Sequence, residues 1–217
     1  YILNTKKNKE MKLDGDIKLD FNDVLIRPKR SELSSRKEVN LNRDFTFKYS
    51  NITWNGVPII SSNMDSIATI NLYNSLSKHN IITCFHKYIN VKEIIDNNCD
   101  PNFFMLSTGI SEDDFKLLQD NVKCLEENNI NLNFICIDVA NGYMAKLISF
   151  CKLVREKFPN KIIIAGNVVT RELVEELIIN GKVDIVKVGI GSGAVCTTRL
   201  QTGVGMPQFS SIIECAD

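Results

Sequence analysis

A glycine-rich stretch at 189–208 contains the residue best suited to covalent chemistry, Cys196. The stretch reads GIGSGAVCTTRLQTGVGMPQ and directly follows an apolar, strand-like run. Its glycines allow the backbone to approach an ion or a ligand closely and to adopt positive φ angles. Thr197, Thr198 and Arg199 place polar groups beside the sulfur. A loop of this kind presents its cysteine to a ligand, so we predict that Cys196 acts as a nucleophile.

The elements that must position this loop follow the pattern of βα units. From Gly56 onward, short β-rich runs alternate with longer segments of helical periodicity, as expected around a parallel sheet. We predict six strands, at 58–62, 81–85, 103–108, 133–139, 161–165 and 185–189. The alternation predicts an α/β fold, a (β/α)8 TIM barrel, of which the chain contains about six units.

Helix signals lie between these strands. Ser111 and Asp114 have the spacing of a capping box, and Thr170 is placed to cap a later helix. Active sites of TIM barrels lie where strands end and βα loops begin. We therefore expect the residues at those positions to converge, namely Asn63, His86, Thr108, Asp138, Asn167 and the Cys196 loop.

Composition limits the class of protein. The chain has 217 residues, 44% hydrophobic and 24% charged, which is ordinary for one globular domain with a substantial core. Its 26 basic and 26 acidic residues balance, so we expect neither nucleic acid nor a membrane surface as a partner. We predict an N-terminal extension at 1–12 and one catalytic barrel domain at 13–217, and we expect the native barrel to continue past Asp217.

Cysteine usage indicates a reducing compartment. The seven cysteines are odd in number and lack CxxC spacing, which favours free thiols over a disulfide framework. No apolar run reaches transmembrane length, and the first ten residues lack the apolar centre of a secretory signal. These features predict a cytoplasmic protein in which most cysteines are small core residues.

Motifs along nearly the whole chain resemble the family formed by GMP reductase and IMP dehydrogenase. They are KLDFNDVLIRPKRSELSSR, GVPIISSNMDSIAT, the pair His86 and Lys87, IDVANGY, IIIAGNVVT and the loop around Cys196. Ordered motifs over so long a span are far more specific than one glycine signature. The segment CTTRLQTGVGMPQ is more similar to the reductase branch.

The resemblance implies a covalent reduction of GMP. Cys196 would attack C2 of the purine and expel ammonia, and the resulting thioimidate would receive a hydride from NADPH to yield IMP. Thr198 is similar to the family's proton-transfer threonine, which acts together with a glutamate. A threonine alone is too weak a base, and we expect the glutamate to lie beyond Asp217.

The resemblance also implies binding residues for three ligands. The NADPH residues are Ser35, Arg36, Lys87, Asp138, Val139, Ala140, Ile190 and Gly191, and the nucleotide contacts are Ser62, Met64 and Asn167. A monovalent cation, potassium, would be bound chiefly by backbone carbonyls of Gly191, Gly193, Cys196 and Arg199. The family implies a homotetramer in which Ser35 and Arg36 reach a neighbouring subunit's site. A planar guanidinium is suited to the 2′-phosphate of NADPH.

Two departures from the family pattern leave alternatives open. Ala194 stands where the family usually has serine, which removes a phosphate-contacting hydroxyl, and Ser192 replaces the proline of the reductase branch. One alternative is therefore an IMP dehydrogenase that converts IMP to XMP with NAD. A binding or assembly subunit without catalytic activity is a further alternative, because the chain contains only about six of the eight barrel units. Apart from the family resemblance, the sequence predicts that Lys87 and Arg36 are solvated cations. It likewise predicts that Val139 belongs to the core and that His86 is a hydrogen-bonded structural histidine.

Overall fold

The computed structural model describes residues 15–216. The N-terminal extension predicted at 1–12 lies outside the described residues. Eight strands are present in this part of the chain, and they are β1 (Arg43–Thr46), β2 (Thr53–Gly56), β3 (Ile60–Ser61), β4 (Ile82–Phe85), β5 (Phe104–Thr108), β6 (Phe134–Asp138), β7 (Ile162–Val168) and β8 (Ile185–Val188). The α-helices are α1 (Ile70–Leu76), α2 (Val91–Asp96), α3 (Glu112–Glu127), α4 (Ala145–Lys157), α5 (Arg171–Ile179), α6 (Thr198–Thr202) and α7 (Gln208–Ala216).

The sheet has the topology that the sequence predicts. Strands β3 to β8 form one parallel sheet in chain order, and helices connect them, so the six predicted βα strands are confirmed. The sheet curls into part of an α/β barrel. The short hairpin of β1 and β2 is antiparallel and forms a separate two-stranded sheet.

Two predicted strand boundaries were wrong. Strand β3 is only two residues long, and β7 continues to Val168 instead of ending at Ala165. The extension of β7 is explained by its neighbour, because Gly166 and Val168 pair with Lys187 and Val188 of β8. A side chain at Gly166 would place its Cβ 2.4 Å from the Lys187 carbonyl oxygen, so the close approach requires glycine.

Hydrophobic residues pack on both faces of the curled sheet. Inside the barrel, Trp54, Cys84, Met105, Phe134 and Cys136 belong to one buried cluster. The larger cluster lies between the sheet and the outer helices, where Leu118 of α3 and Leu147 of α4 are almost fully buried. Burial on both faces explains why the strands read as continuous apolar runs rather than as alternating ones.

Helix caps follow the sequence signals in one case and depart from them in another. At the start of α3, Ser111 and Asp114 form the predicted reciprocal capping box. Thr170 occupies the N-cap position of α5, but its side chain makes no capping hydrogen bond. Its Oγ1 instead lies 2.9 Å from the hydroxyl of Tyr143. A tertiary hydrogen bond thus replaces the capping hydrogen bond that the sequence predicts for the Thr170 hydroxyl.

A buried carboxylate joins several segments at the amino-terminal end of β8. Asp184 accepts hydrogen bonds from the backbone N–H groups of Tyr49 (3.0 Å) and Ile163 (3.1 Å), and it forms a 2.6 Å ion pair with Arg155 of α4. Its side chain is fully buried.

No helix in the described part of the chain is both long enough and apolar enough to span a membrane.

Candidate functional site

A cleft of about 310 Å³ opens at the carboxyl ends of β3 to β6. Its lining consists of Asn63, Met64, Asp65, His86, Lys87, Tyr88, Ser107, Thr108, Gly109 and Asp138. Four of the residues that we expected to converge therefore surround one cavity. Asn167 and the Cys196 loop do not line this cleft, although they too lie at or beyond the carboxyl ends of their strands, β7 and β8.

At the floor of the cleft, Asp138 is paired with a residue that the sequence analysis missed. Lys187 of β8 forms an ion pair with Asp138, and the Asn63 amide donates to the other carboxylate oxygen at 2.9 Å. The side chains of Lys187 and Asp138 are about one-third exposed, at 32% and 29%. A lysine inside the apolar run DIVKVGI was the available signal, since charge in a buried strand requires a partner.

The surroundings of Lys187 keep it charged. Burial lowers the pKa of the ammonium, but nearby Cys136 and Asp138 raise it, and the net pKa lies above the usual lysine value. The resulting fixed positive charge holds the Asp138 carboxylate at the mouth of the barrel. A carboxylate in this place can accept hydrogen bonds from the hydroxyl groups of a bound ligand.

On the opposite wall of the cleft, Lys87 is also held by a carboxylate. Its Nζ lies 3.0 Å from Oδ1 of Asp114 and 5.0 Å from the centroid of the Tyr88 ring. The hydrogen bond from Lys87 to Asp114 raises the pKa of the lysine. Asp114 thus caps α3 and also binds the ammonium of Lys87. Without the family resemblance, the sequence predicts that this lysine is solvated.

The Cys196 loop lies beyond the end of β8 and is partly exposed. The backbone N–H of Cys196 donates to the Gly193 carbonyl at 2.9 Å. The side chain and the backbone N–H of Thr198 hydrogen-bond to the sulfur and lower the pKa of the thiol, and the Arg199 charge acts in the same direction. Hydrogen bonding from Thr198 thus favours the thiolate of Cys196, which is the reactive form of a cysteine.

Replacing Thr198 with valine is expected to slow the reaction of Cys196 with iodoacetamide severalfold at neutral pH. The variant removes a hydrogen bond that favours the thiolate, so the thiol pKa rises and the pH profile of alkylation shifts to higher pH. Mass spectrometry of the labelled Cys196 peptide measures the rate at each pH. Thr197→Val is the control, because the Thr197 side chain is exposed and makes no capping hydrogen bond. Equal profiles for wild type and Thr198→Val would contradict the assignment.

The other cysteines are free and mostly buried. A hydrogen bond with Cys136 and burial raise the pKa of Cys84 well above its usual value. Burial raises the pKa of Cys99 to about 11 and that of Cys151 to about 12. These thiols remain protonated and pack as small apolar side chains, as the cysteine count predicts.

Asn167 lies in β7 with both backbone polar groups paired. Its N–H donates to the Val139 carbonyl at 2.9 Å, and its carbonyl accepts from Gly142 at 2.8 Å. Its side-chain Oδ1 is buried without a hydrogen-bond partner. Because buried polar atoms are usually paired, this oxygen is available to a ligand that reaches the strand end.

The remaining predicted contacts differ in accessibility. Met64 is 56% exposed at the rim of the cleft, whereas Ser62 lines a smaller cavity inside the barrel together with Lys187. Val139 and Ile190 are buried, and Ala140 is exposed. Val139 and Ile190 therefore have only backbone groups or a small apolar edge to offer a ligand.

Three of the residues predicted to bind a cation lie in the loop after β8, and the fourth, Arg199, lies in α6. Gly193 and Cys196 are joined by a hydrogen bond, and Arg199 packs beside Gly191, at 3.6 Å from where a Cβ on that glycine would lie. Within the described residues, no cluster of three His, Cys, Asp or Glu side chains can hold a metal. A cation here would depend on backbone carbonyls, each of which has two lone pairs.

Ser35 and Arg36 lie away from the cleft. Ser35 caps a short 3₁₀ helix at Arg36–Glu38, where its Oγ accepts from the Lys37 N–H at 3.3 Å. Both residues are exposed, and neither lines the cleft. Within one chain, Ser35 and Arg36 therefore do not contribute to the cleft.

Known proteins share this fold and these motifs. Residues 18–217 match the family model described as the IMP dehydrogenase / GMP reductase domain. The chain is 53% identical to a protein named GMP reductase from Shewanella halifaxensis and 55% identical to one from Buchnera aphidicola. Each alignment covers 95% of this chain, and 60% and 59% of the respective relative. The chain thus spans about 60% of the length of the curated relatives it matches.

A solved structure supports the barrel assignment. The crystal structure of inosine 5′-monophosphate dehydrogenase from Legionella pneumophila superposes with a TM-score of 0.74 at 28% sequence identity. The match covers 92% of this chain and 59% of that chain. The curled six-stranded sheet therefore corresponds to part of a larger barrel of the same fold.

Proposed function

Because the chain belongs to the IMP dehydrogenase/GMP reductase family, we propose that the protein catalyses the NADPH-dependent reductive deamination of GMP to IMP and ammonia. The observation that carries this proposal is the contact between Cys196 and Thr198, which lowers the pKa of the thiol in a loop at the barrel's catalytic edge. Relatives named GMP reductase at 53% and 55% identity support the choice within the family.

The chain's own residues supply nucleophilic catalysis. The Cys196 thiolate forms a bond to C2 of the purine, and the C2–N bond breaks to release ammonia after its nitrogen is protonated. NADPH, when bound, supplies the hydride that replaces sulfur at C2, so that the C–S bond breaks and IMP leaves. Thr198 hydrogen-bonds to the sulfur and relays protons together with a carboxylate partner.

Two charged pairs in the cleft support cofactor binding there. Asp138 faces the cleft with its orientation fixed by Asn63 and Lys187, which suits the hydroxyl groups of a ribose. Lys87 is held by Asp114 on the opposite wall. We assign Val139, Ala140, Ile190 and Gly191 to the same cofactor through their backbones, and Ser62, Met64 and Asn167 to the purine nucleotide.

Exposed N-terminal residues support an assembly in which subunits share sites. Ser35 and Arg36 lie outside their own chain's cleft, so they are free to reach that of a neighbour in a homotetramer. The planar donor fork of arginine suits the 2′-phosphate that distinguishes NADPH from NADH.

Free thiols throughout the described chain support a cytoplasmic location.

We also infer a potassium ion at the Cys196 loop. The carbonyl oxygens of Gly191, Gly193, Cys196 and Arg199 are the donors, and a hard monovalent cation prefers oxygen ligands of this type. The neighbouring positions of Gly191 and Arg199 support the assignment. Such an ion would order the loop, and the guanidinium of Arg199 takes no part in its coordination.

The proposal is tested by supplying the full-length protein with GMP and NADPH and following both cofactor oxidation and IMP formation. We expect one IMP and one ammonia for each NADPH consumed. The dehydrogenase alternative, favoured by the serine at 192, would instead give IMP-dependent reduction of NAD and no turnover of GMP. A folded protein that binds GMP without either reaction would indicate a binding or assembly subunit.

A further inference from the structure

The side chain of Gln208 bridges two points of the Cys196 loop. Its Nε2 donates to the Val188 carbonyl at 2.9 Å, and its Oε1 accepts from the Ser192 hydroxyl at 2.7 Å. Val188 ends β8, and Ser192 lies four residues further along. The amide therefore bridges the two ends of segment 188–192, which leads to Cys196. A carbonyl can only accept, so the amide nitrogen must face Val188.

The backbone around this bridge is packed too closely for side chains. Gly189 has φ +135°, and a Cβ there would lie 2.5 Å from Oε1 of Gln208. Gly191 has φ +65°, and its Cβ would lie 2.8 Å from the Val204 carbonyl oxygen. The Met206 N–H also donates to the Ile190 carbonyl at 3.0 Å. The segment 204–208 therefore lies directly on the loop backbone and restricts its movement.

Gln208 projects from a helix that is anchored elsewhere. On α7, the Ser210 N–H donates to the Leu19 carbonyl at 3.1 Å, and the Ser210 hydroxyl accepts from the Leu19 N–H at 2.7 Å. Phe209 packs edge-to-face against Phe21, with their centroids 6.3 Å apart. The bridge thus ties the loop to a helix that is itself bonded and packed against residues 19 and 21.

We propose that Gln208 is a positioning residue, which holds segment 188–192 so that Cys196 is presented for attack on the substrate. The connection runs from Gln208 to Ser192, then through the backbone to Gly193, whose carbonyl accepts the Cys196 N–H. Gln208 acts through the loop and makes no contact with the reacting atoms. This inference rests on the proposed role of Cys196 as the nucleophile.

The test uses the full-length protein with Gln208→Met, which keeps the side-chain length but removes both hydrogen bonds. We expect kcat to fall by about 10- to 100-fold, since small misplacements of reacting groups carry costs of that order. The KM for GMP is expected to stay within about 3-fold of wild type, because both ends of the Gln208 amide are already bonded within the chain. Gln201→Met is the matched control: this glutamine is exposed on α6, and its side chain makes no hydrogen bond within the described residues.

Ser192→Ala provides a second and milder variant. Losing one hydrogen bond is expected to lower kcat by about 3- to 10-fold. In the double variant, this change should add little to Gln208→Met, because both substitutions break the same bridge. If Gln208→Met does not fold, Ser192→Ala decides alone, and a folded Ser192→Ala protein with wild-type kcat overturns the proposal.

Hydrogen–deuterium exchange separates this proposal from the proposed function. Peptides covering 189–197 should exchange faster in Gln208→Met than in wild type or Gln201→Met, whether or not GMP is turned over. Faster exchange with no GMP turnover in the wild type would refute the function while keeping the bridge. Unchanged exchange and unchanged kcat in folded Gln208→Met would refute the positioning role.

Discussion

Replacing Cys196 with alanine in the full-length protein is expected to reduce turnover of GMP by about 10⁴-fold or more, which is the order lost when a covalent nucleophile is removed. Without sulfur, no bond to C2 forms, and ammonia has no activated route of departure. The partly exposed position of Cys196 in a loop predicts little loss of stability, within about 0.5 kcal/mol. Cofactor oxidation and chemical denaturation measure the two effects separately.

Cys124→Ala is the control for this experiment. Cys124 lies on α3, away from the loop, and packs against the outer core cluster. Its replacement should leave turnover close to that of the wild type. Substantial activity in folded Cys196→Ala would show that the reaction does not pass through this sulfur, and the nucleophile would then have to be sought elsewhere.

Replacing Asp184 with alanine is expected to lower the free energy of unfolding by about 3–5 kcal/mol, the usual cost of removing one partner from a buried ion pair. The fully buried carboxylate bonds Arg155 and the backbone N–H groups of Tyr49 and Ile163. The two backbone N–H groups would lose this acceptor, and Arg155 would lose its counter-charge while keeping hydrogen bonds to three backbone carbonyls. Urea denaturation of the full-length protein, followed by circular dichroism, measures the difference.

The matched control is Glu175→Ala, which removes an ion pair of similar length at the surface. Glu175 bonds Arg171 at 3.1 Å, and both side chains are 56% exposed. Exposed pairs contribute little, so the expected loss is about 0–1 kcal/mol. A difference of less than about 1 kcal/mol between the two variants would mean that the Asp184 cluster is far more hydrated than its burial indicates.

The sequence predicts the sheet well because its signals are local. Each buried strand is a short apolar run between turn residues, and β4, β5 and β6 fall within one residue of the predicted bounds. The part of β7 beyond Ala165 is not predicted from local signals, because Gly166 and Asn167 favour a turn when considered alone. Gly166 is held in the strand by pairing with Asp138 of β6 and Lys187 of β8, and pairing with β8 resumes at Val168, which is information carried by other segments.

The candidate site is predictable to the extent that its residues follow strands directly. Asp138 and Lys87 could be found from their positions, but their partners could not. Lys187 lies in a strand that its apolar residues predict, and the sequence indicates for Asp114 only the role of a helix cap. The role of Gln208 depends on a contact across 20 residues of chain, which no local pattern encodes.

The contrast between Cys196 and three buried thiols sets the order in which peroxide would oxidise these cysteines. Only the ionised sulfur reacts quickly with hydrogen peroxide, and among the described cysteines a lowered pKa is found at Cys196, in contrast to Cys84, Cys99 and Cys151. Oxidative stress should therefore convert Cys196 to its sulfenic acid before Cys84, Cys99 or Cys151 reacts. The proposed reaction would stop while the barrel stayed intact, and a thiol reductant could restore the free sulfhydryl without refolding the protein.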